Sequence, residues 1–202
     1  MSGIDNPTTR FYSDNAATYA ARLSEASLMR LDRFLEKLAP GAEILELGCG
    51  NGRDSAEMIL RGFRAVPTDG TLEMTAEASK RLGIPVGVLR FENIDMIEAF
   101  DGVWANACLL HVPRPELGDI LARIHAALRP GGVFYASFKA GEAEGHDSLG
   151  RFFNYPSKDW LETAYWAMPW ALVEIEGNKG SGYDSRPTDW LHVLAVKDSP
   201  SP

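Results

Sequence analysis

Three glycines fall within five residues, Gly48, Gly50 and Gly52, between the apolar run Ile44-Leu45-Glu46-Leu47 and a helix-compatible segment starting at Asp54. Glycine lets the chain bend sharply and lets a ligand press against bare peptide groups, while the helix that follows offers unsatisfied N–H donors to an anionic group. Asp69 ends the next apolar stretch, and a carboxylate there can accept two hydroxyl protons. His111 follows a later stretch and could take a proton from a hydroxyl or amine, or serve as a structural hydrogen-bonder. Cys49 lies inside the glycine run, yet nothing near it in sequence supplies a base to activate the thiol, so it reads as a small filler. Glu142, Glu144, His146 and Asp147 lack a second histidine cluster or a rigid element beneath them; they read as a solvated charged loop, with no metal site.

The elements that must hold these residues alternate along the chain. Leu28, Leu31, Phe34, Leu35 and Leu38 recur at helical spacing and stop at Ala39-Pro40-Gly41. Ile44 to Leu47 then reads as a buried strand, Asp54 to Arg61 as a helix ended by Gly62, and Phe63 to Val66 as a strand ending in Pro67-Thr68-Asp69-Gly70. The alternation continues with a helix over Thr71 to Leu82, strands at Val86 to Leu89 and Gly102 to Ala105, a helical stripe from Leu117 to Leu128, and a strand over Val133 to Phe138. Alternating strands and helices predict an α/β fold with a parallel sheet covered on both faces, in which ligands sit at the carboxyl ends of the strands. Later come a polar stretch from Lys139 to Asn154, a helix from near Pro156, and strands at Trp170 to Glu176 and Trp190 to Val196 joined by a turn-rich loop over Gly177 to Asp189.

Composition narrows the function classes. A chain of 202 residues, 45% hydrophobic and 24% charged, fits one globular domain and neither a disordered nor a membrane class. A formal charge of -8 argues against nucleic-acid phosphates or anionic lipid as partners and favours a small molecule. The two cysteines, Cys49 and Cys108, read as reduced thiols of a cytoplasmic protein. No apolar signal core opens the sequence, and no apolar run nears the roughly 18 residues of a membrane span.

Two cofactor classes use a glycine-rich strand-to-helix turn. The dinucleotide pattern G-x-G-x-x-G requires glycine at position 53, where Arg53 stands, which demotes a nicotinamide-dependent oxidoreductase. The pattern Glu46-x-Gly48-x-Gly50-x-Gly52 instead resembles the first motif of class I S-adenosylmethionine-dependent methyltransferases. Asp69, Phe91-Glu92-Asn93, the segment Phe100 to Pro113 and Leu128-Arg129-Pro130-Gly131-Gly132-Val133 resemble that superfamily's later landmarks in the same order, over about half the chain. The resemblance is to its small-molecule members, such as type 11 and type 12 and tellurite-resistance-like methyltransferases.

The resemblance implies a Rossmann-like three-layer sandwich with a seven-stranded, mostly parallel sheet whose last strand is antiparallel. It divides the single domain, residues 1–202, into an N-terminal helical lid (1–40), a cofactor-binding half (41–139) and an acceptor-side segment with the final strands (140–202). S-adenosylmethionine, released as S-adenosylhomocysteine, would meet Glu46, Gly48, Cys49, Gly50, Gly52, Asp69, Gly70, Phe91, Glu92, Asn93 and Asn106: backbone around Gly48 and Gly50 at the methionine end, Glu46 near its ammonium, Asp69 on the ribose, Phe91 to Asn93 by the adenine. The acceptor side would draw on Tyr12, Tyr19, His111, Lys139, Arg151 and Tyr155, with His111 as the candidate base and Trp190 and Arg186 as weaker contributors. Tyr19 reads equally as helix packing, Tyr12, nearer the polar start, reads toward the pocket, and Lys139 and Arg151, two cations beside tyrosines, could hold an anionic acceptor. The activity implied is methyl transfer to a small molecule by in-line displacement. A cofactor-binding module without catalysis and a nucleic-acid methyltransferase are the alternatives; Ala105-Asn106-Ala107-Cys108 stands where amino-methylating nucleic-acid enzymes carry N-P-P-Y or D-P-P-Y.

Overall fold

A computed structural model describes residues 6–21 and 28–199; residues 1–5, 22–27 and 200–202, including parts of the expected N-terminal lid, lie outside the described residues. Helix α1 (Pro7–Asp14) starts at a cap in which Asn6 accepts from the Thr8 N–H at 2.9 Å, with Pro7 in the first turn where a missing N–H costs nothing. Helices α2 (Ala16–Ala20) and α3 (Met29–Leu35) follow, then β1 (Glu43–Glu46), α4 (Arg53–Leu60), β2 (Arg64–Asp69), α5 (Leu72–Leu82), β3 (Gly87–Val88) and β4 (Phe100–Ala105). The second half holds α6 (Arg114–Ala127), β5 (Leu128–Lys139), β6 (Gly145–His146), β7 (Phe152–Phe153), α7 (Lys158–Trp166), β8 (Trp170–Ser181) and β9 (Pro187–Lys197). Thr71 and Ser157 cap α5 and α7 through their hydroxyls, which explains where those helices begin.

Seven strands form one sheet in the order β3-β2-β1-β4-β5-β9-β8. β1 to β5 pair in parallel, while β9 runs antiparallel to both β5 and β8. This is the Rossmann-like α/β sheet with an antiparallel last strand that the resemblance implies. The strand order reverses between β1 and β4, and the crevice beyond their carboxyl ends is the natural ligand position of such a sheet. One core cluster packs α6 and α7 on the sheet through Leu117, Leu121, Ile124, Leu161 and Tyr165, and a second packs α3 and α4 on the other face through Leu31, Phe34 and Met58. No helix among the described residues is long and apolar enough to cross a membrane.

Several boundaries differ from the sequence reading. β2 runs on through Pro67 to Asp69, with Pro67 opposite Glu46 and the Thr68 hydroxyl donating to the Glu46 carbonyl at 2.7 Å. β3 shrinks to two residues. Leu128 already pairs with Phe100, and after an irregular step the ladder resumes at Val133, so the Pro130-Gly131-Gly132 turn lies inside β5. The largest difference is the expected loop over Gly177 to Asp189. Residues 177–181 and 187–189 continue β8 and β9, leaving only 182–186 as a turn. Gly177, Asn178, Lys179 and Gly180 carry little strand propensity of their own, so the ladder hydrogen bonds to β9, rather than side-chain pattern, keep them extended. β5 stops pairing at Trp190, so the hairpin projects past the sheet at the ligand end.

Candidate active site

The three glycines after β1 all have positive φ, 62° at Gly48, 57° at Gly50 and 75° at Gly52, but they are bare for different reasons. A Cβ on Gly48 would lie 2.5 Å from the Cβ of Cys108, and one on Gly52 would lie 2.9 Å from the Leu82 side chain. Both exclude a side chain because the protein itself fills the space. Only Gly50 faces a looser neighbour, the Tyr19 ring at 3.7 Å from a built Cβ. The Cys49 N–H donates to the Thr68 carbonyl at 2.8 Å and ties the loop to β2. Cys49 and Cys108 are free and buried, and burial pushes both thiols up.

Asp69, at the end of β2, accepts from the Gly50 N–H at 3.1 Å and from the Thr71 N–H at 3.2 Å. Burial pushes its carboxyl up to about 6 in spite of these donors. The carboxylate is thus fixed beside the least crowded of the three loop glycines. Gly70 next to it has no atom within 4 Å of a built Cβ. The Leu89 N–H donates to the Asp69 carbonyl at 2.9 Å and brings the helical turn Phe91–Asn93 to this end of the sheet, with Phe91 against the core and Glu92 and Asn93 exposed.

Glu46 is buried beneath the loop and accepts from the Ser55 hydroxyl on α4; burial first, and the nearby Asp54 charge second, push its carboxyl well up. Asp54 is a functional candidate the sequence reading passed over as the opening of a helix. It accepts from Trp104 Nε1 at 2.9 Å, Asn106 Nδ2 at 3.1 Å and Arg53 Nε at 2.7 Å, joining the glycine loop to the end of β4. Asn106 in turn accepts from Ser137 Oγ at 2.8 Å, so its amide is held between α4 and β5. The signal was available only as a carboxylate directly after the last glycine and Arg53.

Among the residues expected on the acceptor side, His111 lies in a single helical turn after β4. Its Nδ1 is 2.6 Å from the Phe152 carbonyl and its Nε2 is 3.0 Å from the Tyr12 hydroxyl. A carbonyl can only accept, so Nδ1 carries the proton and Nε2 accepts from Tyr12. Burial pushes the imidazole down to about 4. Of the two roles the sequence leaves open for His111, base or structural hydrogen-bonder, this geometry resembles the second: the accepting nitrogen is occupied by Tyr12, and the ring sits where its cation is costly.

Tyr12 also meets Tyr19 edge-on at 5.2 Å, and burial first, with Tyr19 second, pushes its hydroxyl up. Tyr19 stacks on Tyr183 at 5.2 Å and 9°, which joins α2 to the tip of the β8–β9 hairpin. Tyr183 escaped the sequence reading because it stood in a segment read as loop; an aromatic among Gly, Ser and Asp was its only sign.

The Phe153 ring is the hub of this side, 4.6 Å from His111, 4.2 Å from the Lys139 ammonium, 5.3 Å from the Arg151 guanidinium and 5.3 Å from the Tyr155 ring. Arg151 is 3% exposed, donates to one Asp147 oxygen at 2.9 and 2.7 Å, and lies against Phe11 and Tyr183. Its charge is compensated within the protein, whereas Lys139 pairs with no carboxylate among the described residues. Trp190 lies opposite Lys139 in the β5–β9 ladder, and Arg186 is exposed and pairs with Asp184 at 3.4 Å. Glu144 accepts from the Arg114 N–H, and Asp147 serves Arg151; among the described residues no group of three or more metal-binding side chains forms.

Residues 44–132 match the family model of a methyltransferase domain. The chain is 37% identical over 100 residues to the trans-aconitate 2-methyltransferase of Deinococcus radiodurans, covering 46% of this chain and 36% of that protein. It is 31% identical over 125 residues to the ubiquinone biosynthesis O-methyltransferase of Chromobacterium violaceum, covering 57% of this chain and 53% of that protein. The chain thus spans between about a third and about half of the length of these curated relatives. Among solved structures, the 1,6-didemethyltoxoflavin-N1-methyltransferase of Burkholderia thailandensis, with bound 1,6-didemethyltoxoflavin and S-adenosylhomocysteine, superposes with a TM-score of 0.76 at 22% identity over 96% of this chain and 88% of that one, a likeness of fold. Residues 44–132, which hold the glycine loop, thus match a methyltransferase domain, and the chain shares its sheet order and fold with methyltransferases of known structure.

Proposed function

We propose that this protein is a methyltransferase that uses S-adenosylmethionine and acts on a small, anionic acceptor, as a single domain with an acceptor side built from the N-terminal helices and the segment after Lys139. One observation carries the reading: the Asp69 carboxylate is fixed to the backbone of Gly50, the one loop glycine at which an added Cβ would meet only ordinary van der Waals contact, with the Tyr19 ring. A carboxylate suited to two ribose hydroxyls beside bare peptide groups matches the donor and acceptor needs of the cofactor. Gly48, Cys49, Gly50 and Gly52 would meet its methionine end with Glu46 beneath them, Asp69 and Gly70 its ribose, and Phe91, Glu92 and Asn93 its adenine, with Asn106 at the end of β4. The bound cofactor supplies an electrophilic sulfonium methyl.

The protein's own part is to align the acceptor and keep water out. Protonating His111 at neutral pH costs roughly 4 kcal/mol for a group held near 4. Orientation therefore wins over proton abstraction as the role of the pair: His111 fixes the Tyr12 hydroxyl, and Tyr12 and Tyr19 cover the acceptor. An acceptor already ionised needs no base. Lys139 and Tyr155 support an anionic one, and the substrates named for the relatives are small molecules. The free thiols and acidic surface favour the cytoplasm over membrane or nucleic acid.

Calorimetric titration with S-adenosylmethionine, S-adenosylhomocysteine and NADH tests the reading. Micromolar binding of the adenosyl pair, lost in Asp69→Ala, is expected; binding of NADH alone would overturn it.

A further inference from the structure

We propose that Lys139, under the tip of the β8–β9 hairpin, is a carboxylate subsite and that the methyl acceptor is a carboxylic acid; the proposal rests on the methyltransferase reading. Lys139 is the last residue of β5, at the ligand end of the parallel strands. It is 8% exposed, and no carboxylate among the described residues comes within ion-pair distance of it. Its ammonium lies 4.2 Å over the Phe153 ring. A ring face replaces only part of the hydration that a buried ammonium gives up.

The neighbouring charges point the same way. Arg151 is already matched by Asp147. Asp184 faces the same gap from the hairpin tip: a Cβ built on Gly182 would be 3.1 Å from Lys139 Nζ and 3.1 Å from Asp184 Oδ1. Asp184 is engaged with Arg186, through its backbone N–H at 3.3 Å and its guanidinium at 3.4 Å. Gly182 closes this side of the ammonium, and even a methyl there would crowd both Lys139 and Asp184, so glycine is what lets the hairpin tip lie over the lysine. The other contacts of the Phe153 ring include His111 at 4.6 Å, so a carboxylate on Lys139 lies one ring from the Tyr12–His111 pair. Burial first, and Arg151 second, push the Lys139 ammonium down, the direction that a bound carboxylate reverses.

The test titrates the full chain, saturated with S-adenosylhomocysteine, with benzoate, benzamide and trans-aconitate, read by ligand-observed NMR. Wild type is expected to bind the acids at least tenfold more tightly than the amide. Lys139→Met should abolish that preference while leaving S-adenosylhomocysteine affinity within twofold, and Asp184→Asn should tighten acid binding severalfold by removing a facing negative charge. Equal binding of acid and amide, no binding of either acid to the loaded protein, or a preference that survives in a folded Lys139→Met protein would overturn the proposal. Loss of S-adenosylhomocysteine binding in wild type itself would overturn the methyltransferase reading and this inference with it.

Discussion

Replacing Gly48 and Gly50 singly by alanine should separate the packing role of the loop from its binding role. Both positions lie at positive φ, which costs an L side chain about 1–2 kcal/mol. Gly48→Ala also drives a methyl to 2.5 Å from the Cβ of Cys108, a collision between two atoms fixed to backbone, and overpacking of this kind adds about 1–3 kcal/mol. The total for Gly48→Ala is about 2–5 kcal/mol, or a fall in Tm of about 5–15 °C in a chain of this size. Gly50→Ala meets nothing nearer than 3.7 Å and should lose only about 1–2 kcal/mol. Its effect should appear instead as at least tenfold weaker binding of S-adenosylhomocysteine. Urea denaturation and calorimetry on the two variants read both quantities. A Cys108→Gly background should return about 1–3 kcal/mol of the Gly48→Ala loss, since the collision goes and the backbone strain stays. The reasoning fails if Gly50→Ala destabilises as much as Gly48→Ala while keeping full affinity, or if Cys108→Gly shows no coupling to Gly48→Ala.

Burial lifts the folded Asp69 carboxyl to about 6, so below that pH and above the ordinary value of about 4 the folded chain holds a proton the unfolded chain has released. Its contribution to stability therefore falls as pH rises from about 4 to about 6, and the urea midpoint of Asp69→Asn should lack that fall relative to wild type. S-adenosylhomocysteine affinity should run the other way, rising through pH about 6 and levelling above it, because the ribose needs the ionised acceptor; a flat profile refutes this. His111 should stay neutral with the proton on Nδ1 from pH 8 down to about 5 in nitrogen-detected NMR, and a midpoint near its ordinary 6.5 would remove the orientation argument. Cys49 and Cys108 should resist Ellman's reagent in the folded protein and react as two thiols in urea; rapid labelling of either in the native state contradicts their burial.

The strand and helix alternation, the glycine loop and the position of Asp69 were legible because each is written locally: in spacing, in caps such as Thr71, and in glycine stops. What remained hidden is built from contacts between distant segments. Spacing around Gly48 cannot reveal that Cys108 fills its empty side. Asp54 looked like an ordinary first-turn acid until Trp104 and Asn106 converged on it. Arg151 was legible as a cation but not as one spent on Asp147, and the same chemistry that made it a candidate receptor is what the loop uses internally. The hairpin was misread because its residues are held extended by partners, not by propensity.

The Tyr19–Tyr183 stack has a consequence for the order in which the molecule is completed. One ring belongs to the second helix and the other to the last hairpin, so the chain must thread all its parallel strands before the two can meet. Contacts of such long sequence separation close late, after the loop entropy between them has been spent. A nascent chain that has emerged as far as β5 already contains the glycine loop and Asp69, but it lacks the ring that stacks on Tyr19. The same geometry bears on how the finished protein breathes: past the Ala140 N–H on the Asp189 carbonyl the hairpin backbone bonds only across its own two strands, so hydrogen exchange at residues 179–187 should outpace that of β1 and β4. An edge hairpin that peels in this way would uncover the Tyr19 ring without disturbing the glycine loop.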